Sequence, residues 1–499
     1  MSNPEDSVSP GELTEINRCR LSDLPKKIAP DLILIALLIT YFLHFAFQSL
    51  SAHFAPDDMM NMWGYWHAGW PRVIRANLCF WSSVERPLGA IYYLPLHSLF
   101  DLDPKPYRVV TITLVVATIP VAYLLGRSLS SSWSIAFLAV FGWSYQLANL
   151  VFVTSFIYDV LCTLFYLTTL ALYIRIRERG RFLRPLELLG CFTLYICALN
   201  SKEMAVTLPV VVLAYEVLKY YHQSERRSFL QWIWHDAWPA LGAGLITAIY
   251  CYNKIYGPHS WAVHGVEAYT PHYSWSAFMT SNAKFVSTLL YLVPNHMITG
   301  EVLLTTWALA FLYAFWRGDC MLELMAFWVV ITPLPLAFVT ARGALALTII
   351  LFGWAMILSK LVSDFSLLMA NLFGLRNRPV FFVPASVTLL VVILLGVCTE
   401  RQNRRYAFAW LRVGEKTAHV IEAFRALKLQ PESGSKILLT DNPFGDRPDP
   451  AYISQLLWND HSLTVYLEGK NALSAQQLAN VDYILAVHEY KIDLIRGRR

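Results

Sequence analysis

The sequence predicts a polytopic α-helical membrane protein of about eleven transmembrane helices, followed by a small C-terminal α/β domain. Three observations lead there. Of 499 residues, 56% are hydrophobic and only 15% charged, where a soluble domain carries about 25% charge; the mean hydropathy is +0.43. Apolar runs close to the ~20 residues that cross a hydrocarbon core recur along the chain. Over 399–499 that pattern gives way to an amphipathic stretch and short β-like runs.

Residues 1–30, with Pro4, Glu5, Asp6, Ser7 and Pro10, read as a disordered cytoplasmic tail. No secretory signal precedes the first apolar run and no small-residue cleavage site follows it, so that run is expected to remain as an anchor. The expected spans are 31–51, 107–126, 134–153, 156–174, 185–200, 203–221, 237–256, 302–316, 321–339, 344–362 and 379–398, which delimit a membrane domain over 31–398. The stretch 281–298 reads either as a twelfth span or as an interfacial helix, because Lys284, Pro294 and Asn295 interrupt it.

Charge placement decides between the two. Lys26 and Lys27, the run Arg175 to Arg184, the run Lys219 to Arg227, and Lys360 with Arg376 and Arg378 belong in the cytoplasm by the positive-inside rule. They share one side only if 281–298 does not cross. The N-terminus is then cytoplasmic and the C-terminus extracytoplasmic, as in a bacterial inner membrane or its equivalent. The loops 52–106 and 257–301 and the segment 399–499 share the outer face.

Eight cysteines form neither a Cys-x-x-Cys pair nor a metal spacing. Cys162, Cys191, Cys197 and Cys251 sit in apolar runs, so no disulfide framework is expected. In the tail, Tyr406 to Leu429 shows helical spacing, a helix is expected around 450–459, and Lys436 to Thr440, Leu463 to Leu467 and Tyr483 to Val487 read as strands. No Gly-x-Gly-x-x-Gly is present, and the cytoplasmic connections are too short and basic for a nucleotide-sugar domain. Nothing points to nucleic acid as a partner. The tail is expected to cap the membrane domain or to dock an acceptor.

The candidate chemistry gathers at outer helix ends. Asp57 and Asp58 follow Pro56 just beyond the first span. Glu85-Arg86-Pro87, Asp159, Lys202-Glu203 and Arg342 join them. Each has an ordinary reading: Arg86 snorkelling to headgroups, Glu203 capping a helix, Asp159 paired inside the bundle. Together they describe a membrane-surface pocket of carboxylates and cations, and ionisable groups at membrane depth tend to have a task. A polyprenyl-phosphate sugar suits such a pocket. Transfer to a hydroxyl needs a carboxylate to accept the proton, and cations or a carboxylate-held metal to stabilise the departing phosphate. Trp63, Tyr65, Trp66, Trp70, Trp81, Tyr92 and Tyr93 would suit sugar rings, but an interfacial aromatic belt is the better default. His259, His264, Glu267, His272 and Tyr273 in the loop 257–301 lack a regular metal-ligand spacing.

The order of these residues resembles the GT-C class of integral-membrane glycosyltransferases, and within it the dolichyl- or polyprenyl-phosphate-mannose mannosyltransferases and their bacterial relatives. The resemblance runs from about residue 31 to about residue 365. It rests on Asp57-Asp58, Arg86-Pro87-Leu88 with Tyr92-Tyr93-Leu94, Tyr158-Asp159-Val160-Leu161, Ser201-Lys202-Glu203 before Thr207-Leu208-Pro209, and Pro333 with Pro335 upstream of Arg342. It implies that Asp57 or Asp58 is the catalytic base or a ligand of a divalent cation such as Mg or Mn. It further implies that Arg86, Asp159, Lys202, Glu203 and Arg342 bind substrate, the cations among them contacting phosphate. The implied partners are a polyprenyl-phosphate sugar donor, a protein, glycolipid or polysaccharide acceptor, and membrane lipids. Asn149 and Ile157 depart from the relatives' pattern and leave the donor sugar open. A transporter or flippase of a lipid-linked intermediate is the alternative, although the halves show no repeat and the charges sit at helix ends rather than at a midplane.

Overall fold

The computed structural model describes residues 24–81, 85–222, 228–256, 270–290, 292, 297–339, 347–372, 382–469 and 473–497. Arg342, His259, His264 and Glu267 lie outside the described residues, as do residues 1–23 of the N-terminal tail.

Helix α1 (Leu24–Ala46) runs through a 3-10 turn into a lobe of three short helices, α2 (Pro56–Ala68), α3 (Trp70–Leu78) and α4 (Leu88–Phe100). The bundle continues with α5 (Pro104–Ser130), α6 (Trp133–Leu150), α7 (Ile157–Arg177), α8 (Pro185–Ser201), α9 (Leu208–His222), the single turn α10 (Phe229–Trp232) and α11 (Trp238–Tyr256). Then follow α12 (Trp275–Leu289), α13 (Gly300–Arg317), α14 (Cys320–Ile331), the short α15 (Leu334–Ala337), α16 (Thr348–Leu372) and α17 (Phe382–Val413).

Each stretch read as a span is helical over most of its described residues. Among the described residues six helical segments are long and apolar enough to cross a membrane unaided: Pro30–Ser51, Pro104–Ser130, Thr154–Arg177, Glu203–His222, Cys320–Ala337 and Thr348–Leu372. The chain is an integral membrane protein. Segment Thr154–Arg177 is central, with 72% of its apolar window buried, whereas Pro30–Ser51 is peripheral at 28%. An all-round apolar helix belongs in the middle of a bundle, and α7 packs there against α5 and α8. The 15-residue α12 is too short to cross by itself.

The segment 52–106, expected as a loop, is instead mostly helical. Local chemistry explains this. Pro56 occupies the first helical position of α2 and Asp57 and Asp58 its first turn, where a fixed φ and negative charge both favour a helix start. Asp103 caps α5 by accepting from the Lys105 N–H, with Pro104 just inside.

At the far end of the bundle Arg177 forms a two-point pair with Glu216, at 2.7 and 2.8 Å, and also binds Asp236; Tyr173 donates to Glu216 at 2.7 Å. This buried network joins α7, α9 and the π-helical turn Ile233–Ala237. Breaking one member would strand the rest.

Helix α17 has 32 residues, about 48 Å at 1.5 Å each. It outruns the hydrocarbon core and carries the tail, so no chain break falls at residue 399. The tail comprises α18 (Glu415–Leu427), β1 (Lys436–Thr440), α19 (Asp449–Trp458), β2 (Thr464–Leu467), α20 (Ala475–Ala479), β3 (Tyr483–Val487) and β4 (Ile492–Arg496). The sheet order is β2-β1-β3-β4, with β1 parallel to β2 and β3, and β3 antiparallel to β4. The three expected strands form; β4 was not anticipated.

The tail docks on α2. Trp63 donates to Gln455 Oε1 at 2.6 Å and packs on Tyr452. Trp66 donates to Asn459 Oδ1 at 2.7 Å and stacks on His461 with centroids 3.7 Å apart. Arg425 reaches Asp101 at 3.1 Å. Gly414 marks the closest approach, since a Cβ there would lie 2.6 Å from the His53 carbonyl oxygen. Replacing both Trp63 and Trp66 by alanine should undock the tail at a cost of roughly 2 kcal/mol or more. Hydrogen exchange at α2 and α19 should then rise about thirtyfold, with the bundle unchanged; unchanged protection of α19 would contradict the docking.

Candidate functional site

The lobe α2–α4, the ends of α7 and α8, and the tail converge at one end of the bundle. Asp58 anchors this region. Its side chain is fully buried. Oδ2 accepts from the Ala55 N–H at 2.8 Å, and Oδ1 from the Ser155 N–H at 2.6 Å. Arg108 lies 3.8 Å from Oδ2 and donates to the carbonyls of His53 at 2.9 Å and Val151 at 3.4 Å. Burial pushes the Asp58 carboxyl above its ordinary value, while Arg108 and the two N–H groups act the other way. Both oxygens are committed to the fold.

Asp57, one residue away, turns to the surface. Its side chain is 61% exposed and meets Arg447 at 2.8 Å; the same guanidinium reaches the buried Asp449 at 2.8 Å. The two carboxylates therefore share no cation site: Asp58 is enclosed by N–H donors and Asp57 faces an arginine of the tail. The expectation of a metal held by Asp57 and Asp58 does not fit this donor set. Among the described residues no group of three or more His, Cys, Asp or Glu side chains is arranged to hold a metal.

A second cluster gathers four of the sequence candidates. Arg86 forms a fork with Glu203, Nε to Oε1 at 3.2 Å and Nη2 to Oε2 at 3.0 Å, with side chains 32% and 44% exposed. Lys202 meets Asp159 at 2.5 Å in a more enclosed pair. The guanidinium of Arg86 also lies over the Tyr158 ring, 5.2 Å from its centroid. A fork that uses Nε and Nη2 leaves Arg86 with further N–H donors.

The backbone of Arg86 is held under strain. Its φ is +46°, a left-handed conformation that costs a non-glycine residue about 1–2 kcal/mol. The Tyr65 hydroxyl secures it by donating to the Arg86 carbonyl at 2.8 Å, and lies 3.0 Å from the Tyr158 hydroxyl. Burial pushes the Tyr65 hydroxyl above its ordinary value, which keeps it protonated. Gly89 admits Tyr158 here, since a Cβ would meet its ring at 2.3 Å. Strain maintained by its surroundings is a mark of functional sites.

The structure thus brings Arg86, Glu203, Lys202 and Asp159 together, fixes Asp58 behind them, and sets Asp57 at the contact with the tail. The aromatic residues divide. Trp63 and Trp66 hold the tail, correcting their reading as a membrane belt or sugar platform. Tyr92 and Tyr93 are core residues, while Trp70 and Trp81 remain exposed. Lys254 went unnoticed in the sequence. It approaches Glu203 and Glu85 electrostatically and sits over the Tyr250 ring; its signal was a lone cation near the end of an apolar run. Arg447 was missed because its partner lies in another domain.

No protein-family model and no curated protein matches the chain. Among solved structures, the chain resembles ArnT from Cupriavidus metallidurans bound to undecaprenyl phosphate. The TM-score is 0.53 and the identity 11%, over 92% of this chain and 97% of that one. It also resembles, more loosely, an Archaeoglobus fulgidus oligosaccharyltransferase tethered to an acceptor peptide containing the NVT sequon. There the TM-score is 0.45 and the identity 11%, over 90% of this chain and 69% of that one. The first likeness extends over nearly the whole of both chains and shows that the two share a fold.

The roles of the acidic pair are separable by stability. Asp58→Ala should lower stability by about 3–5 kcal/mol, because it leaves Arg108 buried without its carboxylate. Asp57→Ala, at an exposed pair, should change it by less than about 1 kcal/mol. Thermal unfolding in detergent reads both, and equal losses would contradict the assignment.

Proposed function

We propose that the protein transfers a sugar from a polyprenyl-phosphate-linked donor to an acceptor hydroxyl at the extracytoplasmic face of the membrane, with its N-terminus cytoplasmic and its tail outside. The carrying observation is the pair of cation–carboxylate contacts, Arg86–Glu203 and Lys202–Asp159, at span ends of a GT-C fold. The ArnT structure that shares this fold has undecaprenyl phosphate bound, which supports a lipid-borne donor.

In this reading the lipid chain stays in the bilayer and its phosphate rises to Arg86 and Lys202. Arg86 is the more open of the two, and its unused N–H groups suit a phosphate oxygen. The acceptor oxygen attacks the anomeric carbon. The bond from that carbon to the phosphate oxygen breaks, and the phosphate leaves with the electron pair. Arg86 and Lys202 stabilise the charge it gains. Glu203 and Asp159 hold the two cations in place before the donor arrives.

The proton of the acceptor goes to Asp57, the exposed member of the acidic pair. Asp58 holds α2 and is not reached by an acceptor. No step is assigned to a divalent cation. The likeness to mannosyltransferases in the sequence makes a hexose, mannose first, the sugar to try.

With purified protein in liposomes and polyprenyl-phosphate sugars as donors, Asp57→Asn should lower turnover about 10²–10⁴-fold. Arg86→Ala and Lys202→Ala should each lower it about 10²-fold or more. Full activity of folded Asp57→Asn would remove it as the base. Lipid movement without any transfer product would favour a transporter instead.

A further inference from the structure

A second polar cleft, of about 410 Å³, opens at the opposite end of the bundle from the tail, and the proposed reaction does not use it. The segments Pro30–Ser51, Pro104–Ser130 and Thr154–Arg177 all end there, which sets the cleft at headgroup level. Asp31, Arg127, Arg175, Glu178 and Arg179 are among the residues lining it.

The carboxylates are already engaged. Tyr123 donates to Asp31 at 2.5 Å. Glu178 accepts from Tyr215 and lies 3.6 Å from Lys219. Arg127 comes no nearer than 3.8 Å to Asp31, beyond hydrogen-bond range, and its buried Nε has no hydrogen-bond partner among the described residues. Arg175 and Arg179 are exposed and have no carboxylate partner among the described residues. They stand four residues apart, where like charges repel. The negative end of α7 steadies them without using their donors.

We propose that this cleft binds the phosphodiester headgroup of an anionic membrane lipid. The guanidinium forks of Arg175 and Arg179 suit a phosphate's paired oxygens, and an anion between them relieves their repulsion. Helix ends of negative sign oppose a bare anion, so the arginines carry the binding. The lipid is favoured over free phosphate by Leu32, Ile33 and Leu37. These residues of α1 follow Asp31 and are 60%, 61% and 54% exposed, giving acyl chains an apolar path beside the cleft. The placement agrees with the inner leaflet expected from the positive-inside rule.

The test is native mass spectrometry of the full-length protein released from phosphatidylcholine nanodiscs titrated with phosphatidylglycerol. Wild type should retain phosphatidylglycerol selectively. The double variant R175Q/R179Q should lower that retention about thirtyfold, equivalent to about 1 kcal/mol per arginine. R425Q, in the tail, should leave it unchanged. Equal retention of both lipids by wild type would overturn the proposal without recourse to any variant. So would a folded double variant that binds as wild type does. Displacement of phosphatidylglycerol by equimolar inorganic phosphate would reduce the cleft to a simple anion site and overturn the lipid assignment.

Discussion

The buried contact of Asp58 with Arg108 and two backbone N–H groups is the constraint from which the arrangement of the site follows. A carboxylate and a guanidinium taken wholly out of water are tolerable only when each is matched. Asp58 is matched by the Ala55 N–H within its own helix start and by the Ser155 N–H at the start of the central segment. Arg108 adds α5 through the carbonyls of His53 and Val151. The entry of α2 is thereby fixed to the two helices at the centre of the bundle. Tyr65, two turns further along α2 and on the same face, then meets Tyr158 and the Arg86 carbonyl. A structural carboxylate thus sets the position of a strained arginine it never touches.

The tail is bound into the same geometry. Trp63 and Trp66 of α2 are held by α19 and the turn after it. Arg447 closes the contact on Asp57. Two adjacent acidic residues therefore serve different purposes because consecutive positions on a helix point about 100° apart. One faces a dry interior. The other faces the surface and meets Arg447 of the tail.

The membrane class, the helices of the long apolar runs and three of the four strands were legible in the sequence, whereas the short helices α2, α3 and α4 were not. Hydropathy reports burial directly. The partners were not legible. Arg86 and Glu203 lie 117 residues apart, and Arg447 and Asp57 lie 390 apart, separations that only the fold brings together. The sequence leaves the choice between Asp57 and Asp58 open, with only Pro56 leaning it slightly to Asp57, since nothing local marks one carboxylate as buried and the other as exposed. The aromatic run of α2 was read by composition as a belt, but Gln455, Asn459 and His461 claim it for docking. Strand β4 was hidden because Asp493 and Arg496 break its apolar run. Lys254 was hidden inside an apolar helix.

The most direct measurement of the central claim is a structure of the protein with a polyprenyl-phosphate donor bound in a nanodisc. The donor phosphate should lie within hydrogen-bond distance of Arg86 or Lys202, with its lipid running down the bundle from that end. A phosphate found only at the far end of the bundle, with the Arg86–Glu203 and Lys202–Asp159 pairs untouched, would contradict it.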